Sequence, residues 1–271
     1  MTSLFAVSIL STILYNKLKY PSIIAQFETI QIYDEIPVSN DRLLNFSAGA
    51  GYWIYYLGIA KFIQENYNLD TTDLIGTSAG AFVCSILAHN TPTSFVLKQS
   101  LLQLERYSAN IMGVIFSWNI GYKQTLTNCY NELNITSIRP NMYSGVSRLT
   151  AYGFKKKYID GGTNIDTLST SLVASCWIPF ITAPLFQPFI YIKDGFYVDG
   201  FWTGRDKSKH KKHLIIYPGK FSRFPIYAYW LWLGKDYNIR MFDNGYEDAK
   251  QNRHVFDEFF AEENEQSSST V

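Results

Sequence analysis

Two glycine-bounded turns separated by a single helical stretch constrain this chain more than any other feature. Leu43 to Ala48 is a short apolar run ending in Gly49-Ala50-Gly51, the pattern of a strand entering a tight turn. From Tyr52 to Tyr67 the residues Tyr55, Ile59, Phe62 and Ile63 recur at helical spacing. Asp70 to Thr72 offers turn and cap chemistry, Asp73-Leu74-Ile75 reads as a short buried strand, and Gly76-Thr77-Ser78-Ala79-Gly80 follows. The small-residue run from Ala79 to Ala88 predicts a helix that can lie close to a sheet, ended by His89-Asn90-Thr91-Pro92. Strand, glycine turn, helix, strand, G-x-S-x-G and helix succeed one another, which predicts an α/β fold with a central, mostly parallel sheet flanked by helices.

The pattern carries chemistry as well as structure. A serine between two glycines at a strand-to-helix turn is forced outward, because glycine tolerates the sharp backbone that other residues resist. Its oxygen then sits at a helix N-terminus, where partial positive charge favours a developing anion. The turn at Gly49, Ala50 and Gly51 likewise offers unpaired amides at the start of a helix, a ready oxyanion site. Rival readings of the glycines fail on single residues. A dinucleotide fingerprint needs a third glycine where Ile54 stands, and no Walker lysine follows either cluster.

Beyond these blocks, the motifs resemble those of the patatin-like phospholipases. Gly49-Ala50-Gly51 and Gly76-Thr77-Ser78-Ala79-Gly80 are similar to that family's oxyanion loop and nucleophile motif. Leu172-Val173-Ala174-Ser175-Cys176-Trp177-Ile178-Pro179 is similar to its A-S-C-x-I-P segment, and Tyr197-Val198-Asp199-Gly200 to its Y-V-D-G motif. The resemblance implies a three-layer α/β architecture and a lipid acyl hydrolase with a Ser78–Asp199 dyad. It implies an oxyanion hole at Gly49, Ala50 and Gly51, with no cofactor and no metal. The resemblance covers about residues 43–200 and does not reach 201–271.

This chain also departs from that pattern. Ala50 replaces a glycine, which costs little provided its φ is negative, and Ile54 stands at the last position of the family's glycine loop. Phe201 follows Gly200 where the family has a small residue, so its bulk either crowds the site or walls an acyl chain. Tyr158-Ile159-Asp160-Gly161-Gly162 is a second D-G-G, yet the A-S-C-x-I-P block precedes only Asp199. The rival enzyme reading is an α/β-hydrolase triad of Ser78, Asp199 and His254, whose oxyanion loop normally lies further upstream. A catalytically silent relative that binds lipid surfaces or protein partners is the non-enzyme alternative.

Composition adds exclusions. With 24 Lys plus Arg against 23 Asp plus Glu, the net charge of +1 argues against a broadly basic nucleic-acid binder. Cys84, Cys129 and Cys176 lie far apart in the 271-residue chain, which fits a reducing, intracellular setting rather than a disulfide framework or a zinc site. Residues 1–24 hold an apolar run from Leu4 to Tyr15 followed by Lys17 and Lys19, too short for a bilayer span; they read as a candidate peripheral anchor, with an ordinary packed helix and a secretory signal as the alternatives. Residues 25–258 read as one domain and 259–271 as a polar tail. Two further stretches bear on a membrane partner: the basic run Lys207 to His213, which reads either as a solvated loop or as a headgroup contact, and the aromatic-rich segment Phe221 to Leu233, which reads either as core packing or as an interfacial patch.

Overall fold

The computed structural model describes residues 30–108, 127–133, 141–161, 165–179, 181–183, 188–193, 195–204, 206–225 and 234–261. The candidate anchor at 1–24, residues 226–233 of the aromatic segment, and 262–271 lie outside them. Among the described residues no helix is long and apolar enough to cross a membrane.

The strands are β1 (Ile32–Tyr33), β2 (Arg42–Phe46), β3 (Thr72–Thr77), β4 (Met142–Thr150), β5 (Gly153–Asp160), β6 (Ile190–Ile192), β7 (Gly195–Asp199) and β8 (Lys212–Ile216). The labelled helices are α1 (Trp53–Asn66), α2 (Ala79–Ala88), α3 (Thr93–Ser108), α4 (Ile165–Ser175), α5 (Lys235–Gln251) and α6 (Arg253–Phe260). One mixed sheet runs β1-β5-β4-β3-β2-β8. Its parallel centre joins β8, β2, β3 and β4, and β5, β1, β7 and β6 add to it antiparallel. The expected α/β architecture is therefore present, with the parallel part where the two glycine turns are.

Burial explains the central elements. Every residue of β3 is buried, as in a strand covered on both faces. Leu44, Phe46, Leu74, Met142, Leu214 and Ile216 point to one face, which packs in a single core with α1, α2, α4, α5 and α6. The opposite face carries Leu43, Ile75, Tyr143 and Tyr158, and Ile36 closes it from the segment before β2. Its polar end is tied by Asp73, which accepts hydrogen bonds from the Ser39 and Asn40 amides and meets His210 Nε2 at 2.8 Å.

Helix α1 is buried almost all round because α5 crosses it, α2 and α3 pack beside it, and its Tyr56 meets Phe46 of β2. The crossing is close: a Cβ on Gly58 would stand 2.0 Å from the Phe242 carbonyl oxygen, and one on Gly245 would stand 2.0 Å from that of Tyr55. Phenol-to-carboxylate bonds flank it, from Tyr55 to Asp248 at 2.6 Å and from Tyr246 to Glu65 at 2.7 Å. Much of the aromatic content is spent here, in edge contacts such as Tyr52–Tyr55, Tyr55–Phe224 and Phe62–Phe256. The last helix runs to Phe260 with Phe259 buried, two residues beyond position 258.

Candidate active site

The parallel pairing of β2 with β3 sets Phe46 beside Gly76, so the two glycine turns leave the sheet side by side. Ser78 lies between β3 and α2 at φ 55°, ψ −125°, a left-handed backbone that a non-glycine residue adopts only under strain. The flanking glycines permit it. A Cβ on Gly76 would lie 2.3 Å from the Ala81 backbone, and one on Gly80 would lie 2.0 Å from the Phe46 carbonyl oxygen. The first turn of α2 thus lies directly against the end of β2.

The Gly49 turn is a 3-10 turn, Ala50–Tyr52, whose first internal bond runs from the Tyr52 amide to the Gly49 carbonyl at 2.9 Å. The Ala50 and Gly51 amides precede that bond, as the first amides of a helix do, and the turn contacts α2. Ala50 sits at φ 46°. The negative φ that would make alanine cheap is not adopted, and a left-handed alanine costs about 1–2 kcal/mol.

Strand β4 explains how Asp199 reaches Ser78. Along one edge, Leu74 to Thr77 of β3 pair with Met142 to Gly145 of β4. One residue on, Val146 pairs with Asp199 of β7. β7 therefore takes over the edge where β3 ends, and its last residue meets the turn that carries Ser78. Asp160 ends β5 opposite Tyr143, on the other edge of β4 and nearer its start. The sheet brings Asp199 to the serine and leaves Asp160 away from it.

Asp199 is fully buried. Its Oδ1 accepts the Phe201 amide at 2.7 Å, and its Oδ2 has no hydrogen-bond partner among the described residues. Burial raises its pKa to about 6, against the opposing pull of the Ser78 hydroxyl, the Phe201 amide and the Lys156 ammonium. Phe201 itself points out to solvent, 67% exposed, so its bulk does not crowd the pair.

The A-S-C-W-I-P segment braces both residues. The Ser78 amide donates to Ser175 Oγ at 2.8 Å, and Ser175 Oγ donates to the Gly145 carbonyl at 2.7 Å. The Asp199 amide donates to the Trp177 carbonyl at 2.9 Å. Burial pushes the Cys176 thiol pKa up, and the thiol is coupled to both Asp199 and Ser78. The bracing role of Ser175 has no local signature in the sequence, since it depends on Ser78 and Gly145, distant in the chain.

No histidine stands near the pair. His89 caps the far end of α2, His210 and His213 lie at or before the start of β8, and His254 is exposed on α6. The basic run is also at the other end of the sheet, and much of it is already engaged. Lys209 pairs with Glu35, Lys211 with Asp41 at 3.1 Å, and Lys212 with the Ala261 carbonyl at 2.7 Å. Beside the candidate site the exposed groups are instead aromatic: Phe201 and Trp202 after Asp199, with Phe154 of β5 6.1 Å from Trp202 by ring centroids. Among the described residues no cluster of His, Cys, Asp and Glu is placed to hold a metal ion.

The chain is an α/β protein in which a strained serine and a buried carboxylate meet at the end of a parallel strand. No family model matches it, and no curated protein sequence matches it. Among solved structures it is similar to the crystal structure of VipD from Legionella pneumophila, with a TM-score of 0.40 and 14% identity. That similarity covers 72% of this chain and 54% of VipD, so it spans about half of the other protein.

Proposed function

We propose that this chain is a lipid acyl hydrolase that cleaves fatty acyl esters through Ser78 and Asp199. The observation that carries the reading is the meeting of a left-handed serine at the end of β3 with a buried aspartate at the end of β7, one of whose oxygens is unpaired. Asp199 Oδ2 takes the hydroxyl proton directly as Ser78 Oγ bonds to the ester carbonyl carbon. The carbonyl oxygen becomes an oxyanion facing the amides around Gly49, Ala50 and Gly51, where one such donor is typically worth about 2.7–4 kcal/mol. Asp199 returns the proton to the departing alcohol, leaving an acyl-serine. Water, deprotonated by Asp199, then releases the fatty acid; an acceptor alcohol in its place gives transacylation. The Ser78 amide is committed to Ser175 and is not counted among the oxyanion donors.

A lipid ester substrate implies work at a membrane surface. The exposed Phe201 and Trp202 beside Asp199 support an approach by that edge, since aromatic side chains partition favourably to the bilayer interface. A fluorophosphonate probe, which labels only an activated serine, tests the chemistry. Wild-type protein is expected to label, and Ser78→Ala and Asp199→Asn are expected not to. Labelling that survives Ser78→Ala refutes the assignment. A folded wild type that does not label favours the catalytically silent alternative.

A further inference from the structure

We propose that Lys156 is a positioning residue for the Ser78–Asp199 pair, and that Asp206 sets how strongly its charge acts there. The inference rests on the dyad reading above and extends it to two residues outside the motif blocks. Lys155, Lys156 and Lys157 are consecutive on β5, and strand alternation separates the middle one from its neighbours. Lys155 and Lys157 both reach Asp34, at 2.7 and 2.8 Å. Lys156 points to the other face, where its side chain is 14% exposed.

The ammonium makes two hydrogen bonds and one ion pair there. Lys156 Nζ donates to Thr77 Oγ1 at 3.2 Å and to the Gly200 carbonyl at 3.1 Å, and it pairs with Asp206 Oδ1 at 3.0 Å. Thr77 immediately precedes Ser78, and Gly200 immediately follows Asp199. One cation thus ties the residue before the serine to the residue after the aspartate. Gly145 makes the room, since a Cβ there would stand 2.5 Å from Thr77 Oγ1 and 3.1 Å from Lys156 Cε. Asp206 is held in turn by Asn45 Nδ2 at 3.0 Å.

Among the described residues, the charges around Asp199 come from few elements. Lys156 stands on β5, Asp206 follows the turn after β7, and Cys176 and Ser78 are the titratable or hydroxyl neighbours. On β4, Arg148 is opposite Tyr197 and lies against Gly195, further back along β7. Tyr158 and His213 sit around Asp206 rather than Asp199. Removing the Lys156 cation destabilises the Asp199 carboxylate, whereas removing the Asp206 anion leaves that cation less neutralised. The two changes therefore act in opposite directions, which a purely structural role would not produce.

The test is a ¹³C-carboxyl NMR titration of Asp199, assigned with Asp199→Asn, in wild type, Lys156→Met and Asp206→Asn. It is paired with the pH dependence of kcat/KM on a short-chain p-nitrophenyl ester. Lys156→Met is expected to raise the Asp199 midpoint by about one pH unit, the scale of a neighbouring charge, and to move the acid limb of kcat/KM with it. Asp206→Asn is expected to lower both. Unmoved midpoints in folded variants, or shifts in the same direction, overturn the proposal. Should Lys156→Met not fold, Asp206→Asn decides alone, and no downward shift overturns it. A Ser78 that resists the fluorophosphonate probe refutes the dyad itself; an unmoved titration in a protein that labels refutes only Lys156.

Discussion

At the scale of single residues, the site combines two costs that the surrounding structure must hold in place. Ser78 occupies a left-handed backbone, and Asp199 is an acid buried to the point that its pKa rises from 3.8 to about 6. The second cost has a defined pH dependence. Below about pH 4 both folded and unfolded chains carry the protonated acid, so burial exacts no ionisation penalty. Between about pH 4 and 6 the unfolded chain releases the proton and the folded one keeps it, and stability falls as pH rises. Above pH 6 the loss is complete. At about 1.4 kcal/mol per pH unit it amounts to about 3 kcal/mol at most. Asp199→Asn is therefore expected to be more stable than wild type at pH 8 by about 2–3 kcal/mol, with the difference shrinking toward pH 4. Urea unfolding at the two pH values measures this, and a difference independent of pH contradicts it. Asp199 was legible from its Y-V-D-G context, because the motif is local. Ser175 and Lys156 were not, since a serine in a helix and a lysine in a basic strand look ordinary until their partners are known.

At the scale of elements, β2, α1, β3 and α2 form where hydrophobic spacing and glycine punctuation predict them. Each is defined by neighbours close in sequence. Helix α5 has no comparable signal, yet its crossing with α1 is among the closest approaches in the fold. It depends on Gly58 and Gly245, each of which leaves space for a carbonyl of the other helix. Gly58→Ala is expected to destabilise the protein by about 2–3 kcal/mol, the cost of overpacking where backbone rather than a flexible side chain blocks the new methyl. Thermal unfolding checks it. A melting temperature unchanged by the substitution would mean that the crossing is looser than these distances state. The segment from Ser175 to Trp177 works at this scale too, reaching the turn after β3 through one hydrogen bond and β7 through another.

For the whole molecule, the important fact is which end of the sheet each surface feature occupies. The lysine run before and into β8 lies at the end where Asp73 meets His210, and Glu35 and Asp41 partly neutralise it. The candidate site and the exposed aromatics lie at the other end. Membrane contact, if it delivers substrate, is therefore expected through Phe201 and Trp202 rather than through the lysines. Replacing both aromatics by serine should weaken partitioning to phospholipid vesicles roughly tenfold or more, given about 1.5–3 kcal/mol for burying a large apolar side chain. Lys209→Gln with Lys211→Gln should leave it nearly unchanged. Vesicle sedimentation measures both, and the opposite ranking would return the contact to the basic run.

By itself the sequence determined the α/β class, the two glycine turns and the candidate serine, because turn geometry and strand or helix periodicity are encoded within a few residues. Motif order alone favoured Asp199 over Asp160 as the candidate aspartate. Only the tertiary structure decided which of the two lies beside Ser78: β4 pairs first with β3 and then with β7, which carries Asp199 to Ser78, while Asp160 ends on the other edge. The same packing decided that Phe201 faces solvent, that the lysine run is largely paired, and that Lys156 reaches Thr77 and Gly200, the neighbours of Ser78 and Asp199. These depend on partners far apart in the chain, and no local pattern of residues specifies such pairings.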